Sequence, residues 1–192
     1  MREKENIFTL AGVLFIITAV VALLLASVNM LTVDTIKEND KKEQAEARLA
    51  VLQEAETFDD VAYQPAQGSS VKQIFEGKKD GHTVGYCVNV TPNGFGGAID
   101  MMVGIQSDGT VEAVKIVSMS ETPGLGSKAS DEAFIGQYAG KTSKSPLSVI
   151  KSGTPKENEV VAIAGATVTS RGVTEGVNEA IAAFNGLEGG AS

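Results

Sequence analysis

From Ile7 to Val33 the chain carries no charged residue, and the middle of this run, AGVLFIITAVVALLLA, is almost wholly apolar. A bilayer core of about 30 Å takes about 20 helical residues, so the run predicts a membrane-spanning helix. The competing reading is a cleaved signal peptide, whose apolar core is about 7–15 residues long and ends at small residues. Here the run is longer, Ala26-Ser27-Val28 is a poor cleavage context, and no cysteine follows for lipoprotein processing. A retained anchor is therefore expected.

The pattern changes at Asp34. As far as about Phe58 the chain is charged and helix-favouring (EQAEARLAVLQEAE), without Gly or Pro. Ala45, Leu49, Leu52 and Ala55 or Glu56 recur every three to four residues, which predicts a helix with a narrow apolar stripe. Two readings stay open: a spacer between membrane and domain, or a helix packed on the domain's own surface. Past Gln67-Gly68-Ser69-Ser70 the texture turns to β-branched alternation. VKQIFEG, HTVGYCVNV, AIDMMVGIQ and TVEAVKIVS predict four strands, separated by Lys79-Asp80-Gly81, Pro92-Asn93-Gly94 and Ser107-Asp108-Gly109. KASDEAFIGQYAG predicts a short helix, LSVIKS and EVVAIAG two further strands, and Ser170 to Phe184 a closing helix. The expected class is α+β. The expected organisation is an anchor over 1–33, a linker helix over 34–67, a compact domain with an antiparallel-rich sheet and flanking helices over 68–186, and a flexible tail over 187–192.

Charge and composition narrow the partners. The net charge is −8, and residues 1–33 hold two basic and two acidic groups, so the imbalance lies after the span. An acidic domain argues against nucleic acid. Cys87 and His82 are the only residues of their kinds, too few for a disulfide, a thiolate iron–sulfur site or a protein-only transition-metal site. No metal site is expected, and both residues read as structural. Arg2 and Lys4 precede the span while Lys37, Lys41 and Lys42 follow it, so basic residues alone do not orient it. A short basic N-terminus staying inside would place the domain on the extracytoplasmic side of the cell membrane.

Two segments carry candidate chemistry. Ala164-Gly165-Ala166-Thr167-Val168-Thr169-Ser170 lies between a predicted strand and the last helix. Small residues admit a bulky group, and a helix N-terminus suits a phosphate; taken alone, the segment is a helix cap on Thr169 or Ser170. Glu121-Thr122-Pro123-Gly124-Leu125-Gly126 could lay backbone amides and Leu125 against a flat ligand. Alone it is a plain turn.

Together these segments, the GYCVNVTPNGFGGAIDMMVGI and SDGTVEAVKIVSMSETPGLG stretches and the N-terminal span resemble the family of FMN-binding G-type subunits of the Rnf electron-transport complex. This family is related to the C-type subunits of the Na+-pumping NADH:quinone reductase. The resemblance runs over nearly the whole chain. It implies a flavoprotein component of a ferredoxin:NAD+ oxidoreductase that couples electron transfer to Na+ or H+ translocation, relaying electrons without catalytic residues of its own. It also implies covalent FMN, transferred from FAD by a flavin transferase to the final Thr of a Ser-Gly-Ala-Thr-x-Thr-Ser motif. By position that is Thr169, with Thr167, Gly165, Ala166 and Ser170 around it. The resemblance further implies that the loop Glu121, Thr122, Gly124, Leu125 and Gly126 lies along the ring, and Lys128 or Lys141 could meet the phosphate. Ala164 stands where the motif has Ser, and Val161 where an Asp is usual. Partners would be the membrane, the transferase and other subunits of the complex. Three other readings remain: a component of a Na+-translocating NADH:quinone reductase, a stand-alone tethered flavin carrier, and a non-redox structural subunit.

Overall fold

The computed structural model describes residues 7–142 and 145–189. The chain divides into two units, Met1–Glu43 and Gln44–Ser192. Helix α1 (Ile7–Val51) supplies the first unit and opens the second. In the first, the apolar window has a mean hydropathy of 2.8 and none of it is buried, so it is long and apolar enough to cross a membrane. Three of its hydroxyls are satisfied internally. Thr18 donates to the Leu14 carbonyl at 3.0 Å, Ser27 to Leu23 at 2.8 Å and Thr32 to Val28 at 3.0 Å.

The second unit is built on a five-stranded antiparallel meander in the order β1-β2-β3-β4-β5. The strands are β1 (Thr57–Val61), β2 (Val71–Lys79), β3 (His82–Val90), β4 (Ile99–Gln106) and β5 (Val111–Met119). The last four are the predicted ones. Both short turns act as their sequences require. Asp80 (φ 49°) and Gly81 (φ 78°) turn β2 into β3, the positive-φ pair of a two-residue hairpin. Asp108 Oδ1 accepts the Thr110 amide at 2.9 Å between β4 and β5.

Side chains alternate across this sheet. One face meets α3 (Thr167–Gly189), with Val88, Val90, Met101 and Val103 against Val173, Val177, Ala180 and Phe184. The other gathers Phe75, Cys87 and Met102 against Ala47, Val51, Leu52 and Ala55. Met101 and Met102 thus face opposite ways, both in packed cores. Burial of Ala47 and Val51 shows that the last turns of α1 pack on the sheet; of the expected stripe, Leu52 and Ala55 are buried there just past the helix end, whereas Leu49 stays 53% exposed. Two glycines let α3 approach closely. A Cβ on Gly176 would lie 2.7 Å from Pro92 Cγ and 2.8 Å from Met101 Cε, and one on Gly172 would run into the Asn93 carbonyl.

Four expectations change. The helix expected to reach Phe58 ends at Val51, and Thr57–Val61 pairs with β2 as an edge strand. The single helix expected over 128–140 is three short pieces: a 3-10 turn (Gly126–Ser130), α2 (Glu132–Ile135) and a 3-10 turn (Gly136–Tyr138). Asp131 is extended (φ −72°, ψ 140°) and interrupts it. The predicted strands near 147–152 and 159–165 shorten to β6 (Ser148–Ile150) and β7 (Glu159–Val161), a parallel pair. Finally, α3 starts three residues before Ser170 and runs to Gly189, so the expected flexible tail is helical over 187–189, and residues 190–192 lie outside the described residues.

Candidate functional site at the start of helix α3

Glu121 follows β5 and turns its carboxylate inward, where the residue is 9% exposed. Oε1 accepts the backbone amides of Phe95 at 2.7 Å and Gly96 at 3.0 Å. Oε2 accepts the Thr169 hydroxyl at 2.9 Å. One side chain thus ties together the β3–β4 loop, the loop after β5 and the first turn of α3. No Lys or Arg forms a salt bridge with Glu121 among the described residues.

The loop after Glu121 is a compact turn. Leu125 and Ser127 both donate their amides to the Thr122 carbonyl, at 3.1 and 3.2 Å. Gly124 takes φ 75° and donates its amide to Ser127 Oγ at 2.9 Å. This leaves Leu125 45% exposed, leaning over Gly165. Gly165 has φ 81°, and a Cβ there would sit 3.2 Å from Leu125 Cδ2, so glycine serves both the left-handed backbone and the close approach.

Between these segments lies a cavity of about 400 Å3. Eight of the ten residues expected at the site line it: Glu121, Thr122, Leu125, Gly126, Gly165, Ala166, Thr167 and Thr169. Gly124 and Ser170 do not. Ser170 is fully buried; its hydroxyl accepts the Ile163 amide at 3.0 Å and donates to the Ala166 carbonyl at 2.9 Å, fastening the approach to α3. Neither lysine expected near a phosphate lines the cavity. Lys128 borders a neighbouring cavity of about 370 Å3 with Asp131 and Val161. Lys141 Nζ donates to the carbonyls of Glu157 at 2.6 Å and Glu159 at 3.1 Å.

Two lining residues were not anticipated. Phe95 stands at the rim, 73% exposed, and Val168 is 52% exposed. A large aromatic flanked by glycines in NGFGG was the available signal. With Leu125 and Val168, also exposed, at the same cavity, it forms an apolar patch rather than a lone exposed ring.

A flavin mononucleotide needs a slot for a flat ring and a place for a phosphate. Phe95, Leu125 and Val168 give the slot apolar walls. The first-turn amides of α3, at Thr167, Val168 and Thr169, have no carbonyl ahead of them within the helix, and such amides suit an anion. Thr167 is the first helical residue and half-buried, whereas Thr169 is 1% exposed. The residues present therefore fit the group. Elsewhere, burial pushes the Cys87 thiol up to about 12, which makes it inert. Among the described residues no cluster of His, Cys, Asp or Glu is placed to hold a metal ion.

Comparison with known proteins agrees with this class of protein, a flavin-binding domain following an apolar helix. A model of the FMN-binding domain family matches residues 94–182, from the Phe95 loop through α3. Over nearly its full length the chain is 37% identical to the G-type subunit of the Na(+)-translocating ferredoxin:NAD(+) oxidoreductase complex of Acetobacterium woodii, covering 97% of this chain and 99% of that protein. It is 31% identical to the proton-translocating counterpart of Clostridium ljungdahlii, covering 98% and 97%. Among solved structures, the C-type subunit of the Na(+)-translocating NADH-quinone reductase from Parabacteroides distasonis shares the fold, with a TM-score of 0.57 and 21% identity over 81% of this chain and 94% of that one. The chain belongs to the family of G-type subunits of ion-translocating ferredoxin:NAD(+) oxidoreductase complexes, the Rnf complexes.

Proposed function

We propose that this chain carries FMN as the electron-relaying subunit of an ion-translocating ferredoxin:NAD+ oxidoreductase complex. It works beside other subunits of that complex and is held in the cell membrane by the first part of α1, with its folded domain on the extracytoplasmic side. The observation that carries the reading is the cavity in which the loop from Glu121 to Gly126 meets the start of α3, within the segment that matches the FMN-binding domain family. The flavin supplies the redox chemistry; the protein positions it and sets its surroundings.

The flavin is held covalently, as a phosphoester on a threonine hydroxyl, placed there by a flavin transferase. Motif position alone favours Thr169. Geometry favours Thr167. The Thr169 hydroxyl is buried and already donates to the Glu121 carboxylate, so a phosphate there would sit against a buried negative charge. Thr167 is half-buried and lines the cavity. A phosphate on its Oγ1 would lie beside the first-turn amides and the positive end of the α3 dipole.

The test is in-gel flavin fluorescence of the full chain produced with the transferase. Thr167→Ala is expected to abolish the fluorescent band, and Thr169→Ala to retain it. Loss only in Thr169→Ala would return the attachment to Thr169, and no band in the wild type would refute covalent attachment.

A further inference from the structure

We propose that the Glu121 carboxylate sets the redox poise of the flavin, as a buried negative charge in the cavity wall that lowers the ring's reduction potential. This rests on the reading that FMN occupies this cavity. Three observations support it.

The carboxylate is built in rather than incidental. It accepts from Phe95 N–H, Gly96 N–H and the Thr169 hydroxyl, the acceptor-only role of an ionised carboxylate. Glycines crowd it on two sides. A Cβ on Gly94 would collide with Oε1, and one on Gly126 would collide with Oε2 and come within 2.9 Å of Glu121 Cβ. The charge also has no counter-ion among the described residues: it makes no salt bridge, and Lys128 and Lys141, the nearest lysines by sequence in the loops after β5, face elsewhere. Finally, Glu121 is 9% exposed and lines the cavity, so its field reaches a bound ring with little solvent between.

The consequence is electrostatic. Full reduction of the ring takes two electrons from an external donor and one or two protons from water. Each electron adds one negative charge until a proton follows. A fixed negative charge nearby opposes that addition, and in the partly screened interior one unit charge is worth on the order of tenfold in the equilibrium. In a one-electron couple that is about 59 mV.

The experiment uses the full chain in detergent, produced with a flavin transferase. Intact mass first confirms that each variant carries one FMN; wild type without FMN would fail the functional reading itself, separately from this proposal. Midpoint potentials are then measured by spectroelectrochemical titration with dithionite as reductant. Glu121→Gln removes the charge and is expected to raise the midpoint by on the order of tenfold in the equilibrium, about 59 mV per one-electron step. Glu121→Asp keeps the charge and stays near wild type. Equal midpoints for Glu121→Gln and wild type would overturn the proposal, as would an equal rise in both variants, which would mark a structural effect. Flavin loading lost in Glu121→Gln but kept in Glu121→Asp would also overturn it, by placing the charge in maturation instead. If Glu121→Gln fails to fold, Phe95→Lys against Phe95→Gln at the exposed rim tests whether charge in this cavity controls the ring. A more positive midpoint with Lys supports the proposal, and equal midpoints overturn it.

Discussion

The Thr169 hydroxyl donates to Glu121 Oε2 at 2.9 Å, across 48 residues of sequence, with both side chains buried. This contact joins the loop after β5 to the first turn of α3. A hydrogen bond to a charged group contributes about 1.5–3 kcal/mol. Thr169→Val keeps the shape, removes the donor and is expected to cost about that much. Chemical denaturation of the full chain in detergent would read it as a lower midpoint with an unchanged slope. Thr169→Ser should recover most of the loss, because the hydroxyl returns.

A second prediction concerns how closely α3 lies on the loop before β4. Gly176 has room only for hydrogen, with Pro92 Cγ and Met101 Cε 2.7 and 2.8 Å from where a Cβ would stand. Gly176→Ala gains helix propensity on the exposed-helix scale, but overpacking in a filled core costs about 1–3 kcal/mol. The expected outcome is a lower melting temperature. A melting temperature at or above wild type would show that the helix can lift away at no cost.

Cys87 yields a pH prediction. Burial raises its folded value to about 12, against an ordinary 9.0. Between those values the unfolded chain has lost the thiol proton while the native state keeps it. The stabilising difference is therefore complete below pH 9 and drains away as pH rises toward 12. Stability should fall more steeply over this window in wild type than in Cys87→Ala. Parallel pH profiles would show that the thiol ionises without unfolding. Near neutral pH, thiol reagents should leave Cys87 unmodified until denaturant is added.

The fourth prediction separates the two units. The unit from Gln44 onward includes Ala47 and Val51, which fill the face of the sheet opposite α3. A fragment spanning 44–192 is expected to be monomeric and soluble without detergent, with the melting behaviour of a single domain. The full chain should need detergent and resist carbonate extraction from membranes. A fragment that aggregates, or a full chain released by carbonate, would contradict the assignment of the first unit as an anchor.

Much of the fold was legible because its signals are local. The uncharged run from Ile7 to Val33 and the alternation in β2 through β5 declare themselves without tertiary help. β1 did not. Its TFDDV sequence carries two adjacent acids, which read as solvent-facing linker, and only pairing with β2 at the sheet edge makes it a strand. The start of α3 was placed late because Thr169 and Ser170, taken alone, are good caps, while the helix begins where Gly165 turns the chain at positive φ.

The site divides the same way. Both of its main segments stand out as glycine-rich punctuation, yet each alone is an ordinary turn or cap. What makes them a cavity is Leu125 against Gly165 and Glu121 against Thr169, contacts between residues some 40 or more positions apart. Phe95 entered through the cavity it lines and the amide that Glu121 holds. No periodicity marks such a residue in advance.

The back-bonded hydroxyls of α1 bear on how the complex is assembled. Thr18, Ser27 and Thr32 each donate to a carbonyl one turn earlier. In hydrocarbon an idle hydroxyl would seek a neighbouring helix, since nothing else there can accept it. These three hydroxyls therefore make no such demand on a neighbour. Directional recognition of a sister helix within the span would then fall to Asn29, whose side-chain amide stands in the same uncharged run.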